Sequence, residues 1–310
     1  MITDIKGLHH VTSMAADAAE NNRFFTDTLG LRRVKKTVNF DAPEVYHLYY
    51  GDEIGTPGSV MTYFPFGQLP RGRRGTGEVG VTEFAVPEGA LGYWKDRLAA
   101  KGATGLTESS FLGETRLEFA GPDGDGFALV ESAERGRIAW TGGSVPEEAG
   151  ILGFHGARMR LRDSAATAEL LSFMGYQKDE TDGAVTRYRI EGGNAADTID
   201  LEAVPGGQAA AQGAGSVHHI AFAVEDRAAQ LRVRDALLDT GYQVTPVIDR
   251  DYFWAIYFRT PGGVLFEIAT NEPGFDRDED TAKLGQALKL PTRYEPFRDR
   301  IEHLLPAIGA

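Results

Sequence analysis

One pattern occurs four times along this chain, and that repetition limits the fold more than any other feature. Each copy opens with a short alternating strand, continues as an amphipathic helix that stops near a glycine, and ends in strands around a Pro/Gly turn. In the first copy, residues 7–64, His10, Thr12 and Met14 alternate with Val11 and Ser13, as in a half-buried strand. Ala18, Asn21, Asn22, Phe24, Phe25 and Leu29 then recur at helical spacing, and Gly30 stops the helix. Strands are predicted at 33–38 and 46–50, and the turn Gly55-Thr56-Pro57-Gly58 precedes a last strand at 60–64. The second copy (79–131) has its strand at 81–86, its helix at 91–100, its stop at Gly102 and its turn at Pro122-Asp123-Gly124. The third (152–204) has a strand at 154–161, a helix at 164–173 and a stop at Gly175. The fourth (217–270) has a strand at 218–224, a helix at 227–239, a stop at Gly241 and the turn Pro261-Gly262-Gly263.

The element order is therefore βαβββ, four times, an α+β class. A single unit has an exposed sheet face and cannot close a core alone. Paired units make an eight-stranded, incompletely closed barrel, and 310 residues accommodate two of them. The expected modules are residues 1–70, 71–141, 151–206 and 214–272, with 273–310 as a tail packing on the barrels. The glycine-rich link at 142–150 is the best candidate seam.

Charge narrows the partners. Lys plus Arg number 32 against 45 Asp plus Glu, a net charge of −13, so nucleic acid and anionic membrane surfaces are poor partners. There is no cysteine, which excludes disulfides, thiolate ligands, iron–sulfur clusters and cysteine nucleophiles. Any catalytic metal must be held by nitrogen and oxygen. No basic leader with an apolar core opens the sequence, and no apolar run approaches ~18 residues, so a cytoplasmic enzyme is expected. Small acidic barrel enzymes often self-associate, so a homo-oligomer is compatible with the chain, although no interface signal stands out.

The repeat converts scattered histidines into a constellation. The first strands of units one and four carry His9-His10 and His218-His219 at matching places. Because neighbouring strand residues point to opposite faces, one histidine of each pair is expected to face a given interior. In the last strand of unit four Glu267 is a carboxylate among apolar residues and needs a partner. Counting from the turn prolines, the corresponding residue is Tyr63 in unit one and Ala128 in unit two; unit three has Asp200 nearby, but Gly156 at its histidine position. Only units one and four together supply two histidines and an acid, which suggests that they pair in space and that His10, His219 and Glu267 hold a metal. Such a set leaves coordination positions open and suits Fe(II); Mn(II), Zn(II) or Ni(II) also accept it. His47 is read as a core or rim histidine, His155 as the vestigial match of His9, and His303 as solvated on a helix at 298–305.

At these residues the chain resembles the vicinal oxygen chelate superfamily and, within it, the hydroquinone-type ring-cleaving dioxygenases. The resemblance covers nearly the whole chain. It is carried by Gly7-Leu8-His9-His10-Val11-Thr12, Tyr46-His47-Leu48-Tyr49-Tyr50-Gly51-Asp52, Val217-His218-His219-Ile220 and Thr260-Pro261-Gly262-Gly263-Val264-Leu265-Phe266-Glu267 together. It implies Fe(II) at His10, His219 and Glu267, supporting roles for His9, Thr12, His218, Arg250 and Tyr257, pairing of unit one with unit four, and a small aromatic diol with O2 as substrates. Within it, His218 is expected to act as acid–base partner, Tyr257 to hydrogen-bond bound oxygen and Arg250 to steady a developing carboxylate or gate the pocket. The segment Asp251-Tyr252-Phe253-Trp254 is more aromatic than in family members, and Phe253 and Trp254 are expected to wall the substrate. The competing expectations are a non-redox glyoxalase-type isomerase or thiol transferase, and a protein that binds an aromatic compound or antibiotic.

Overall fold

The computed structural model describes residues 1–133 and 136–309. Among the described residues, sixteen strands and four module helices follow the expected βαβββ order. Module one comprises β1 (Leu8–Ala15), α1 (Ala18–Arg23), β2 (Arg32–Asn39), β3 (Ala42–Gly51) and β4 (Val60–Pro65). Module two comprises β5 (Glu78–Pro87), α2 (Leu91–Ala100), β6 (Thr104–Phe111), β7 (Glu114–Ala120) and β8 (Gly126–Ser132). Module three comprises β9 (Gly153–Leu161), α3 (Ala165–Phe173), β10 (Gln177–Asp182), β11 (Val185–Arg189) and β12 (Thr198–Ala203). Module four comprises β13 (Val217–Val224), α4 (Arg227–Asp239), β14 (Ile248–Asp249), β15 (Phe253–Arg259) and β16 (Leu265–Pro273). Asp17 caps α1 by accepting the Glu20 amide, and Asp226 caps α4 by accepting the Ala229 amide. After Arg23, α1 loosens into a π-helical turn at Phe24–Thr28, which sets Phe24 and Phe25 into the core.

The strands form two curled eight-stranded sheets. One runs β14-β15-β16-β13-β1-β4-β3-β2 and joins modules four and one; the other runs β10-β11-β12-β9-β5-β8-β7-β6 and joins modules three and two. The first strands pair antiparallel across each junction, β1 with β13 and β5 with β9. The link at 142–150 consequently lies inside the second half, between β8 and β9, and is not the seam between halves. The chain crosses between halves after β4 and after β12. There the two connections run side by side, with Arg71 bridged to Ala214, Arg73 to Ala211 and Thr76 to Ala209.

A large apolar core from both halves includes Phe25, Trp94, Phe127, Leu171 and Phe222. A smaller cluster lies inside the first half: Val34, Tyr49, Val60, Ala221, Tyr252, Phe253 and Ala269, closed by Phe275 and Leu284 of the C-terminal tail. That cluster backs the candidate site. No described helix is long and apolar enough to cross a membrane.

Every module carries the same irregularity in its first strand. The pairing register skips His9 and His218 between β1 and β13, and Gly80 and His155 between β5 and β9. Each skipped residue is a β-bulge, which re-aims side chains that strict alternation would separate.

Candidate metal centre

The bulges overturn the expectation that only one histidine of each pair serves the interior. His218 and His219 both line one cavity, and the His9 and His10 rings both pack on Phe253, at 5.3 and 4.9 Å between centroids. Across the β1–β13 junction the ligand atoms of His10, His219 and Glu267 lie within 4.8 Å of one another, all buried. His219 Nε2 is 2.9 Å and His10 Nε2 3.4 Å from Glu267 Oε2.

Hydrogen bonding decides which imidazole atom is left for a metal. A backbone carbonyl only accepts, so His9 Nε2–H donates to Thr270 O, at 3.1 Å. Burial, and then repulsion from His10, pushes His9 down to about 3, so it is neutral and its Nδ1 accepts. His10 Nδ1–H therefore donates to His9 Nδ1 at 2.9 Å, and Nε2 is the atom left facing Glu267. His218 and His219 repeat the arrangement, with Nδ1 atoms 2.7 Å apart; burial and then His219 push His218 down to about 4. Such outer partners fix the tautomer and aim of a ligating histidine.

Glu267 is fully buried, and neither of its oxygens has a well-aligned hydrogen-bond donor among the described residues. Burial pushes its carboxyl upward, but attraction to His10 and His219 outweighs this and holds it well below the usual range. A buried carboxylate without a donor costs several kcal/mol unless a cation joins it, roughly as for any unpaired buried ion.

The second half supplies the internal control. Asp200 lies opposite Arg158, two residues past Gly156, just as Glu267 lies opposite Ala221, two past His219. Asp200 is the register match of Glu267, and it has its own cation. Arg187 Nε and Nη2 donate to its two oxygens, each at 2.8 Å. Arg116 likewise donates to the buried Glu83 at 2.7 Å. Gly156 admits no histidine, because a Cβ there would lie 2.3 Å from Thr198 O. Where protein cations fill the second half, the first half leaves a carboxylate and two imidazole nitrogens for an external ion. The donor set fits a divalent metal.

The same register corrects the proline count in module one. Thr62, opposite Thr12, matches Glu267; Tyr63 does not. Tyr63 instead points away and donates to Asp125 Oδ1 of module two at 2.8 Å.

The triad opens on a cavity of about 300 Å³ whose lining includes the apolar Met14, Phe40, Phe64 and Phe253 and the polar His218, Arg250 and Tyr257. Arg250 Nε donates to the Tyr257 hydroxyl at 3.2 Å and reaches Asp41 at 3.6 Å. Burial, with the nearby Glu267 charge, keeps the Tyr257 phenol protonated well above its ordinary range. Thr12 is fully buried and accepts from Thr62 at 2.9 Å. Trp254 does not wall the cavity. It follows Phe253 on β15, points the opposite way, and lies under the Arg227 guanidinium of α4 at 4.9 Å. His47, read from sequence as a core or rim histidine, lines the cavity with Tyr49. The signal that could have placed it is alternation: His47 and Tyr49 share a strand face. His155 is tied to Glu114 at 3.2 Å, and His303 is exposed on α5 (Arg298–Leu304). A wider polar cavity of about 670 Å³, in the second half, contains His155 but no cluster of potential metal ligands among the described residues.

Paired βαβββ modules around a two-histidine, one-carboxylate centre define a class, and the chain belongs to the Glyoxalase/Bleomycin resistance protein/Dioxygenase superfamily, whose model matches residues 133–268. Among its relatives, the Bacillus subtilis (strain 168) protein named "Putative ring-cleaving dioxygenase MhqO" is 44% identical, covering 97% of this chain and 96% of that one. The chlorohydroquinone/hydroquinone 1,2-dioxygenase of Sphingobium indicum is 36% identical, over 96% of this chain and 95% of that one. A crystal structure described as a putative dioxygenase from Bacillus subtilis superposes with a TM-score of 0.95 at 42% identity, covering 99% of this chain and 98% of the other.

Proposed function

We propose that this chain is an Fe(II)-dependent ring-cleaving dioxygenase that inserts O2 into a hydroquinone- or catechol-type aromatic diol. The observation that carries the reading is the buried His10–His219–Glu267 set, whose carboxylate has no Lys or Arg paired with it among the described residues and which opens on an aromatic-walled cavity with room for a single ring. The names of the full-length relatives support it. Bound there, Fe(II) would favour ionisation of the diol and provide a path for electrons from ring to O2.

The chain's own residues have defined tasks. His218, kept neutral with Nδ1 accepting from His219, holds its hydrogen on Nε2 and serves as the acid partner, donating that hydrogen to a ligand oxygen in the cavity. Arg250 donates to the Tyr257 oxygen, so the Tyr257 hydrogen goes either to Glu267 or, when a metal holds that carboxylate, to an oxygen in the cavity. The Arg250 guanidinium also lines the cavity, where it would steady a carboxylate product. Phe253, packed on His10, sets one wall for the ring. A glyoxalase-type isomerase would want a second carboxylate; the matching register position holds Thr62.

The test is oxygen uptake by anaerobically Fe(II)-loaded protein given hydroquinone, methylhydroquinone or catechol, beside a metal-free control. Iron-dependent uptake with a new ultraviolet–visible product band is expected. Tight binding of one divalent ion per chain without uptake would overturn the reading and make a thiol-adduct isomerase the next assay.

A further inference from the structure

From the cavity wall inward runs a chain of hydrogen bonds that the tasks above do not use. Tyr49 Oη is 2.7 Å from His47 Nδ1, His47 Nε2 is 2.8 Å from Thr62 Oγ1, and Thr62 Oγ1 donates to Thr12 Oγ1 at 2.9 Å. These four side chains come from three adjacent strands, β3, β4 and β1, and Thr12 sits in the interior row between His10 and Met14.

Its direction follows from chemistry. Tyr49 is buried, which holds its phenol protonated, so it donates to His47 Nδ1. A neutral imidazole that accepts at Nδ1 carries its hydrogen on Nε2, and that hydrogen goes to Thr62. Thr62 in turn donates to Thr12. The Thr12 hydrogen is thus the one in the chain whose acceptor lies outside it. His47 has both nitrogens committed, and presents only its ring to a ligand, against Phe64 at 4.2 Å between centroids.

We propose that His47 is a positioning residue: locked as the Nε2–H tautomer between Tyr49 and Thr62, it makes Thr12 a one-way hydrogen-bond donor toward the metal-side interior, while its ring plane seats the diol. The task assigned to Thr12 rests on the dioxygenase reading; the tautomer and the direction of the chain do not.

The experiment has two arms. In 15N-histidine-labelled metal-free protein at pH 7, long-range 1H–15N correlation, with the His47 signals assigned by their loss in H47F, should show a neutral Nε2–H ring. In Y49F that preference should weaken. A His47 that is protonated, or protonated on Nδ1, overturns the chain even if no diol is turned over. In the Fe(II)-loaded enzyme, T62V and H47F should lower kcat with hydroquinone on the order of tenfold, the loss of one directed hydrogen bond. H47F keeps a ring plane and should leave KM within about twofold, with iron content unchanged. Wild-type kcat in both variants overturns the positioning role. Absence of turnover in the wild type overturns the dioxygenase reading and, with it, the task given to Thr12, and leaves the tautomer measurement to decide the chain alone.

Discussion

Glu267 carries the negative charge of the centre, and Glu267→Gln removes that charge at nearly constant shape. Bound iron should fall by at least tenfold relative to wild type in metal analysis after desalting, as should turnover, while the far-ultraviolet dichroism of the apo protein stays unchanged. His10→Ala should lose iron and turnover alike, with a modest loss of stability besides, because His9 Nδ1 then has no donor. Retained iron and full activity in either variant would remove these residues as ligands. These three residues were legible because a carboxylate and paired histidines in otherwise apolar strands have little other reason to be there. His47 was not, since one histidine among aromatic residues reads equally well as core. A second residue-scale prediction concerns Asp125. Burial pushes it up to about 6, even though Tyr63 donates to it. The folded state thus holds this proton more tightly than the unfolded chain, where the carboxyl titrates near 3.8. Its contribution to stability is full below the unfolded value and is lost as pH rises through about 6. Asp125→Asn should therefore flatten that loss. The variant should gain on the order of 1–3 kcal/mol over wild type between pH 4 and pH 7, read from urea midpoints at each pH. Equal pH slopes in the two proteins would place the ionised Asp125 in a wetter setting than the structure gives it.

At the scale of elements, the sequence announced helices and strands closely, and two details escaped it. Bulges have no composition signal of their own, so strict alternation allowed only one histidine of each pair to face a given interior, whereas His218 and His219 line the same cavity. The repeat unit is also not constant in length: the Pro261-Gly262-Gly263 turn is one residue longer, before its strand, than Pro57-Gly58 with Ser59, and counting from proline slips from Thr62 to Tyr63. A one-residue slip changes every facing in a strand. Alternation on β15 yields a paired prediction. Phe253→Ala opens the cavity wall and should raise the hydroquinone KM roughly tenfold, the worth of one good aromatic contact. Trp254→Ala, on the other face, should leave KM unchanged and cost about 1–3 kcal/mol in chemical denaturation, less than a fully buried Trp→Ala because Trp254 is half-buried. The reverse pattern would mean that β15 is rotated relative to the cavity.

For the whole molecule, the tail decides how the first sheet closes. An open eight-stranded sheet has two free edges, and the sequence said only that residues past 272 pack on the barrels. In the structure they return along β2. Arg33 donates to Gly285 O and Gly309 O, and Lys36 bridges to Leu288. Lys35, with no exposed side chain, pairs with Asp278 and Glu279, and its ammonium lies 4.7 Å from the centre of the Tyr252 ring. Tyr252 donates to Asp278 at 3.1 Å and immediately precedes Phe253, so the ion cluster stands directly behind the cavity wall. Removing one partner of a buried pair costs more than removing both, because the survivor stays desolvated. Glu279→Leu leaves the buried Lys35 only the partly exposed Asp278 and should therefore destabilise the protein by about 1.5–3 kcal/mol, and adding Lys35→Met should restore most of that loss. Asp278, whose side chain is 37% exposed, can be hydrated in the double variant and does not become a second stranded charge. The single variant should also weaken hydroquinone affinity, since Tyr252 loses the neighbours that hold Phe253 against His10. Urea denaturation of the four proteins of this cycle, with KM measured in parallel, separates the two effects. If Glu279→Leu is as stable as wild type, Asp278 alone suffices to hold Lys35, and the tail is a cover rather than the closing element of the half that carries the candidate site.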